Sequence, residues 1–187
     1  MDTERSARQL QLIGETVELA QALGVEVWLR GGWAVDFFLG EVTRDHEDID
    51  WFARAEDASA LTEALLRSGH EALSGPPADQ QLDFCTQGGE SSFALVSEDR
   101  LGRVVVAGGP WAGEPWPRGM LDAHVGHIGP QRCRIISLRA QIEIKQMMPV
   151  WVPGRPRRKK DAEDITRLKT TLRERGGQQG EGHPRPR

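Results

Sequence analysis

Residues 28–52, WLRGGWAVDFFLGEVTRDHEDIDWF, decide how the rest of the chain is read. An apolar, strand-favouring run (Val25 to Leu29) leads to Arg30 and two glycines, Gly31 and Gly32. A short helical pattern follows over about Trp33 to Leu39, then a charged loop from Glu41 to Glu47, then a second strand carrying Asp48 and Asp50. Side chains two apart on a strand point to the same side of a sheet, so these two carboxylates share a face. Paired aspartates around one Ile, between apolar neighbours, have the character of a hard-cation site. Glycines let a backbone turn tightly and approach a ligand, and the N-terminus of the following helix suits a phosphate. Arg44, His46, Asp48 and Asp50 alternate, and all four face one way if the strand reaches back to Arg44.

Outward from this stretch the patterns are those of a mixed fold. Upstream, residues 4–23 repeat Leu10, Ile13, Val17 and Ala20 at helical spacing, with Thr3 as N-cap and Gly24 as the stop. Downstream, Asp57 to Gly69 reads as a helix with Asp57 as N-cap, and His70 to Ser74 as a short strand before a loop at Gly75 to Gln81. Leu82 to Gln87, Ser91 to Val96 and Arg103 to Val106 read as a β meander. In the Gly/Pro-rich loop Gly108 to Gly119, Trp111 and Trp116 are candidates either for stacking a ligand or for pinning the loop. Ala123 to Ile128 and Gln131 to Ile136 suit a hairpin around Gly129-Pro130. Ser137 caps a helix expected to stop at Pro149, and Asp161 to Arg175 forms the last helix. The expected organisation is α+β: a domain over residues 1–148, a basic linker and helix packed on it over 149–175, and a disordered tail over 176–187.

Composition sets outer limits. With 187 residues, 38% hydrophobic and 28% charged, the chain can bury a core. A net charge of −4 argues against a nucleic-acid duplex as partner. No apolar run nears the roughly 18 residues of a membrane span, and the charged N-terminus is unlike a signal peptide, so a cytoplasmic protein is expected. Cys85 and Cys133 have no CxxC partner and read as buried thiols rather than zinc ligands.

Chemistry follows from the combination. A phosphate-binding turn and an Asp-x-Asp within about 20 residues provide for a nucleoside triphosphate held as its Mg²⁺ complex. Transferring part of that nucleotide with two metals about 4 Å apart calls for a third carboxylate, which also accepts the acceptor's proton.

The stretch GGWAVDFFLGEVTRDHEDID resembles the signature of the aminoglycoside and lincosamide nucleotidyltransferases, within the DNA polymerase β-type superfamily. The matching residues are Gly31 to Ala34, Asp36, Gly40, Arg44, His46, Asp48 and Asp50, and Lys160-Asp161 with Asp164 is similar to a later KD-x-x-D element. The resemblance implies a mixed sheet flanked by helices, with C-terminal helices. It also implies Mg²⁺-dependent use of ATP or another NTP to nucleotidylate a hydroxyl of a small, antibiotic-like molecule. In that reading Asp48 and Asp50 hold the metal, Gly31 and Gly32 hug the triphosphate, Arg44 and His46 sit at its rim, and Lys160 reaches a phosphate. The family's third Asp, on a later strand, falls here on Ser92 or Val106. Glu90 is the substitute, on the same side as Ser92 if the strand extends that far; Asp83 is another.

Alternatives are a nucleotide-binding relative with impaired transfer, or a toxin–antitoxin-type enzyme acting on a protein. The expected partners are a nucleoside triphosphate and a small hydroxylated acceptor, with no nucleic acid, no membrane, and a monomer or homodimer.

Overall fold

Helix α1 (Thr3–Leu23) opens the chain. Its N-cap is Asp2 rather than Thr3, because the Asp2 carboxylate accepts from the Arg5 N–H at 2.9 Å and satisfies a first-turn donor. This computed structural model describes residues 1–122 and 124–178, and most of the tail expected to be disordered (179–187) lies outside the described residues. Strand β1 (Val27–Arg30) runs directly into α2 (Gly31–Leu39), so the helix begins two residues earlier than its apolar pattern suggested. β2 (Asp48–Arg54) follows, then a 3-10 turn and α3 (Ala58–Arg67). Next come β3 (Glu71–Ala72), β4 (Gln81–Thr86), β5 (Gly89–Glu98), β6 (Val104–Val106) and the hairpin β7 (His124–Ile128) and β8 (Gln131–Ile135). The last elements are α4 (Leu138–Trp151) and α5 (Lys159–Gln178).

Among the described residues the sheet has eight strands in the order β3-β4-β5-β2-β1-β8-β7, with β6 added on β5. The β2–β5 and β1–β8 pairs are parallel and the others antiparallel. The architecture is thus an open mixed sheet flanked by helices, the α+β class expected.

One face of the sheet builds the core. Val27, Leu29, Ile49, Trp51, Ala53, Phe93 and Leu95 alternate inward and pack with Leu12 and Ile13 of α1, Trp33 and Phe37 of α2, and Leu61 and Leu65 of α3. Trp51 and Phe93 stack at 5.9 Å between centroids and only 8° between planes. Each such side chain contributes about 1.5–3 kcal/mol by leaving water. The other face carries Arg30, Asp48, Asp50, Asp83, Glu90 and Ser92 together with the buried apolar Trp28, Phe52 and Val96.

The chain divides into two compact units, Met1–Gln141 and Ile142–Arg187. In the second, Pro149 does not end α4. The helix completes a further turn, and the Val152 N–H bonds the Met148 carbonyl at 2.9 Å. α5 likewise runs past Arg175 through Gly176 and Gly177 to Gln178. Lys145 of α4 sits 2.9 Å from Asp164 and 3.4 Å from Asp161, both on α5. Hydrogen bonds from Arg158 and the charge of Lys145 outweigh the opposing effect of burial and hold the Asp161 carboxyl below its usual range. The two aspartates of the KD-x-x-D element therefore clamp one helix to the next. Lys160 is the second residue of α5.

Candidate active site

The site is laid out by strand register. Arg30 pairs with Asp50 across the antiparallel β1–β2 ladder. Asp48 pairs with Glu90, and Asp50 with Ser92, across the parallel β2–β5 ladder. Asp83 of β4 in turn pairs with Ser92. Residues paired in register share a face, so Arg30, Asp48, Asp50, Asp83, Glu90 and Ser92 all project from the side opposite the helix-packed core. β5 begins at Gly89, which meets the condition for Glu90 to face the same way as Ser92. Asp48 and Glu90 are exposed, and Asp50 and Ser92 are partly so. Asp83 is already engaged, its Oδ1 accepting from Gln81 Nε2 at 2.7 Å.

Asp50 is the most constrained member. Its Oδ1 lies 3.2 Å from Arg30 Nη2, and its Oδ2 is turned to Gly31, where any Cβ would collide with it. Gly31 has φ +70°, so both its backbone conformation and the carboxylate beside it require glycine. Arg30 in turn lies over the Phe52 ring, its Cζ 4.8 Å from the centroid.

The second half of the motif folds differently from the alternation pattern. β2 begins at Asp48, so Arg44 and His46 are not part of the strand and do not continue its face. Their side chains fill the space that a Cβ on Gly32 would need. His46 is not at an open rim: it is 3% exposed, against Trp33 with ring centroids 4.4 Å apart. Its Nε2 is 2.7 Å from Asp36 Oδ2, and Asp36 is 1% exposed. Arg44 Nη1 lies 3.1 Å from His46 Nδ1. A guanidinium nitrogen can only donate, so Nδ1 accepts, and the network assigns the proton to Nε2, which donates to Asp36. Thr43 completes the arrangement, its N–H and hydroxyl donating to the same carboxylate at 3.1 and 2.6 Å. Asp36, Thr43, His46 and Arg44 thus tie the end of the 41–47 loop to the body of α2.

Sequence reasoning gave Asp36 and Arg30 no role. The signal for Asp36 was present: it is the lone charge in a helix reading GGWAVDFFL, and such a residue is buried only with partners. Arg30 showed no local signal, since its partner is set by the β1–β2 register. Trp116 pins its loop, packing edge-on to Phe52 at 5.1 Å, while Trp111 is exposed. Cys133 is buried, which pushes its thiol up to about 12, but Cys85 is only partly covered, unlike the reading of two buried thiols.

Among the described residues no three His, Cys, Asp or Glu side chains are close enough together to hold a metal ion. The donor set this face offers a cation is Asp48 and Asp50. That fits Mg²⁺ bound with a nucleotide, which takes one or two carboxylates and completes its shell with phosphate and water oxygens.

Comparison with known proteins places the chain. The aminoglycoside-2''-adenylyltransferase family matches residues 12–168, most of the sequence. The chain belongs to that family. A 2''-aminoglycoside nucleotidyltransferase of Klebsiella pneumoniae is 45% identical over 76 residues, 41% of this chain and 40% of that relative. One from Escherichia coli is 45% identical over 42 residues, 22% of this chain and 24% of that protein. These matches span less than half of either relative's length.

The fold is shared with solved structures of lower identity. ANT(2'')-Ia in complex with adenylyl-2''-tobramycin has TM-score 0.69 at 24% identity, covering 88% of this chain and 89% of that one. The lincomycin-bound lincosamide adenylyltransferase LnuA has TM-score 0.65 at 20% identity, covering 82% and 92%.

Proposed function

We propose that this family member is a nucleotidyltransferase that moves a nucleoside monophosphate, AMP in the leading case, from an NTP to a hydroxyl of an aminoglycoside- or lincosamide-like acceptor. The observation that carries the reading is the register placing Asp48, Asp50 and Glu90 on one face beside Arg30 and the N-terminus of α2. The acceptor class is taken from the family and from the antibiotics that its solved relatives bind.

The residues divide the work. The N-terminal turn of α2 offers backbone N–H groups and the positive end of a helix dipole to the triphosphate. Asp48 and Asp50 would hold Mg²⁺, which supplies charge neutralisation on the phosphates when bound. Arg30 adds positive charge beside Asp50. The acceptor hydroxyl oxygen forms a bond to the α-phosphorus, the bond from that phosphorus to the bridging oxygen breaks, and pyrophosphate leaves with the electron pair. Glu90, opposite Asp48, takes the hydroxyl proton. No helix among the described residues is long and apolar enough to cross a membrane.

Ser92 favours a second reading. It stands directly opposite Asp50, where a carboxylate would complete the site, and its presence suits a nucleotide-binding member with weakened transfer.

A pyrophosphate-release screen over the four NTPs, with an aminoglycoside, a lincosamide or no acceptor, tests both. Acceptor-dependent release is expected. Nucleotide binding without release under any acceptor would select the second reading, and absence of NTP binding with Mg²⁺ would remove both. In an active protein, Glu90→Gln is expected to lower kcat by about 10²–10⁴ while leaving NTP affinity near wild type. An unchanged kcat would show that Glu90 is not the base.

A further inference from the structure

Arg30 is held from several sides. Register sets it across from Asp50, Nη2 reaches Asp50 Oδ1 at 3.2 Å, and the guanidinium lies over Phe52. Its Nε is buried with no hydrogen-bond partner, and the side chain as a whole is 18% exposed. A guanidinium stays charged at every accessible pH and presents a planar fork that matches phosphate oxygens. Independently, the strand neighbour of Asp50 on the side away from Arg30 is Ser92, not a carboxylate. Two divalent cations about 4 Å apart both lie against the transferring phosphate and need carboxylates to flank them. Here one oxygen of Asp50 faces Gly31 and the other is already engaged by a fixed cationic side chain.

We propose that Arg30 takes the place of a second divalent cation, so that the site binds one metal ion with its nucleotide rather than two. This rests on the nucleotidyl-transfer reading above. Asp48 and the Gly31-facing side of Asp50 serve the single ion. Arg30, on the other side of Asp50, carries the remaining phosphate charge. The missing carboxylate at Ser92 and the arginine at position 30 are then one adaptation: a cation fixed to the backbone needs no extra ligand.

The test counts metal ions. The full chain, saturated with the non-transferable analogue α,β-methylene-ATP, is titrated with Mn²⁺ and the bound ion followed by electron paramagnetic resonance. One Mn²⁺ per chain is expected. Two per chain would overturn the proposal and leave the nucleotide site standing, whereas failure to bind the analogue at all would overturn both. A second measurement isolates Arg30. With metal removed by EDTA, Arg30→Met is expected to weaken analogue binding at least tenfold, and Arg30→Lys to restore part of the loss. Wild-type affinity in a folded Arg30→Met protein under EDTA would also refute the substitution of arginine for metal.

Discussion

Asp36 gives the sharpest test of how the motif is assembled. Replacing it with alanine removes an acceptor used by three donors: the Thr43 N–H, the Thr43 hydroxyl and His46 Nε2–H. The hydroxyl can rotate to another acceptor, but the amide and the imidazole cannot. Each buried donor left unmet costs about 1–3 kcal/mol, and breaking a buried pair of this kind costs about 3–5 kcal/mol. We therefore expect Asp36→Ala to lose about 3–5 kcal/mol, which at 2–4 °C per kcal/mol for a chain of this size lowers Tm by roughly 6–20 °C. Asp36→Asn separates charge from hydrogen bonding. Its carbonyl can accept from Thr43 N–H and His46, and its NH₂ can donate to the Thr43 hydroxyl turned as acceptor, so the expected loss is about 1–2 kcal/mol. Urea unfolding at pH 7.5 measures both. If Asp36→Ala stays within about 1 kcal/mol of wild type, or Asn is as damaging as Ala, the three-donor account is wrong.

Other substitutions probe separate parts of the molecule. Gly31→Ala must hold φ near +70° and brings a Cβ against Asp50, so a loss of about 1–2 kcal/mol from the backbone alone is expected, together with weaker Mn²⁺–nucleotide binding by calorimetry. Burial lowers the His70 pKa below the ordinary histidine value of about 6.5. The unfolded chain therefore takes up the proton first, and stability present above pH 6.5 is lost as pH falls through the lower folded-state value. Denaturation curves between pH 7.5 and 5 should show this slope, and His70→Gln should flatten it; an unchanged slope in the variant would exclude His70 as its source. A thiol-exchange reagent at pH 8 should modify Cys85 in the native protein and Cys133 only after unfolding, because the Cys133 thiol is pushed up to about 12. Two rapidly reacting thiols would contradict the burial of Cys133.

Much of this site was legible because its pieces are local. The two glycines, the helix after them and the Asp-x-Asp fall within one short stretch, and strand alternation alone puts Asp48 and Asp50 on one face. What the sequence left open depends on register between distant segments. With Ser92 or Val106 at the position expected for a third carboxylate, Glu90 stood as the substitute and Asp83 as another; the β2–β5 and β4–β5 ladders set Glu90 opposite Asp48 and Ser92 between Asp50 and Asp83. Arg44 and His46, in the charged loop, would have shared the face of the aspartates only if the strand reached back to Arg44, and β2 begins at Asp48. The bonds of His46 to Asp36, ten residues back, and of Arg44 to His46 turn both toward α2 instead. The KD-x-x-D element was read only through Lys160; that its aspartates serve Lys145 depends on a partner that only the helix pairing brings near.

The parallel pairing of β2 with β5 also bears on when the site comes into being. A parallel neighbour cannot be reached by a tight hairpin, so the chain must travel through α3, β3 and β4 before Glu90 arrives beside Asp48. β1 waits longer still, since its parallel partner β8 ends at Ile135. During synthesis, a chain extended only through Phe52 would already hold the glycine turn, both aspartates and β1 as a neighbour, but the other edge of β2 would be unpaired. Non-local ladders of this kind close slowly, and until they do the apolar edge of β2 is open to pairing with other chains. The Asp-x-Asp half of the motif is thus made early and left unguarded, and cellular yield should depend on how soon β5 reaches it.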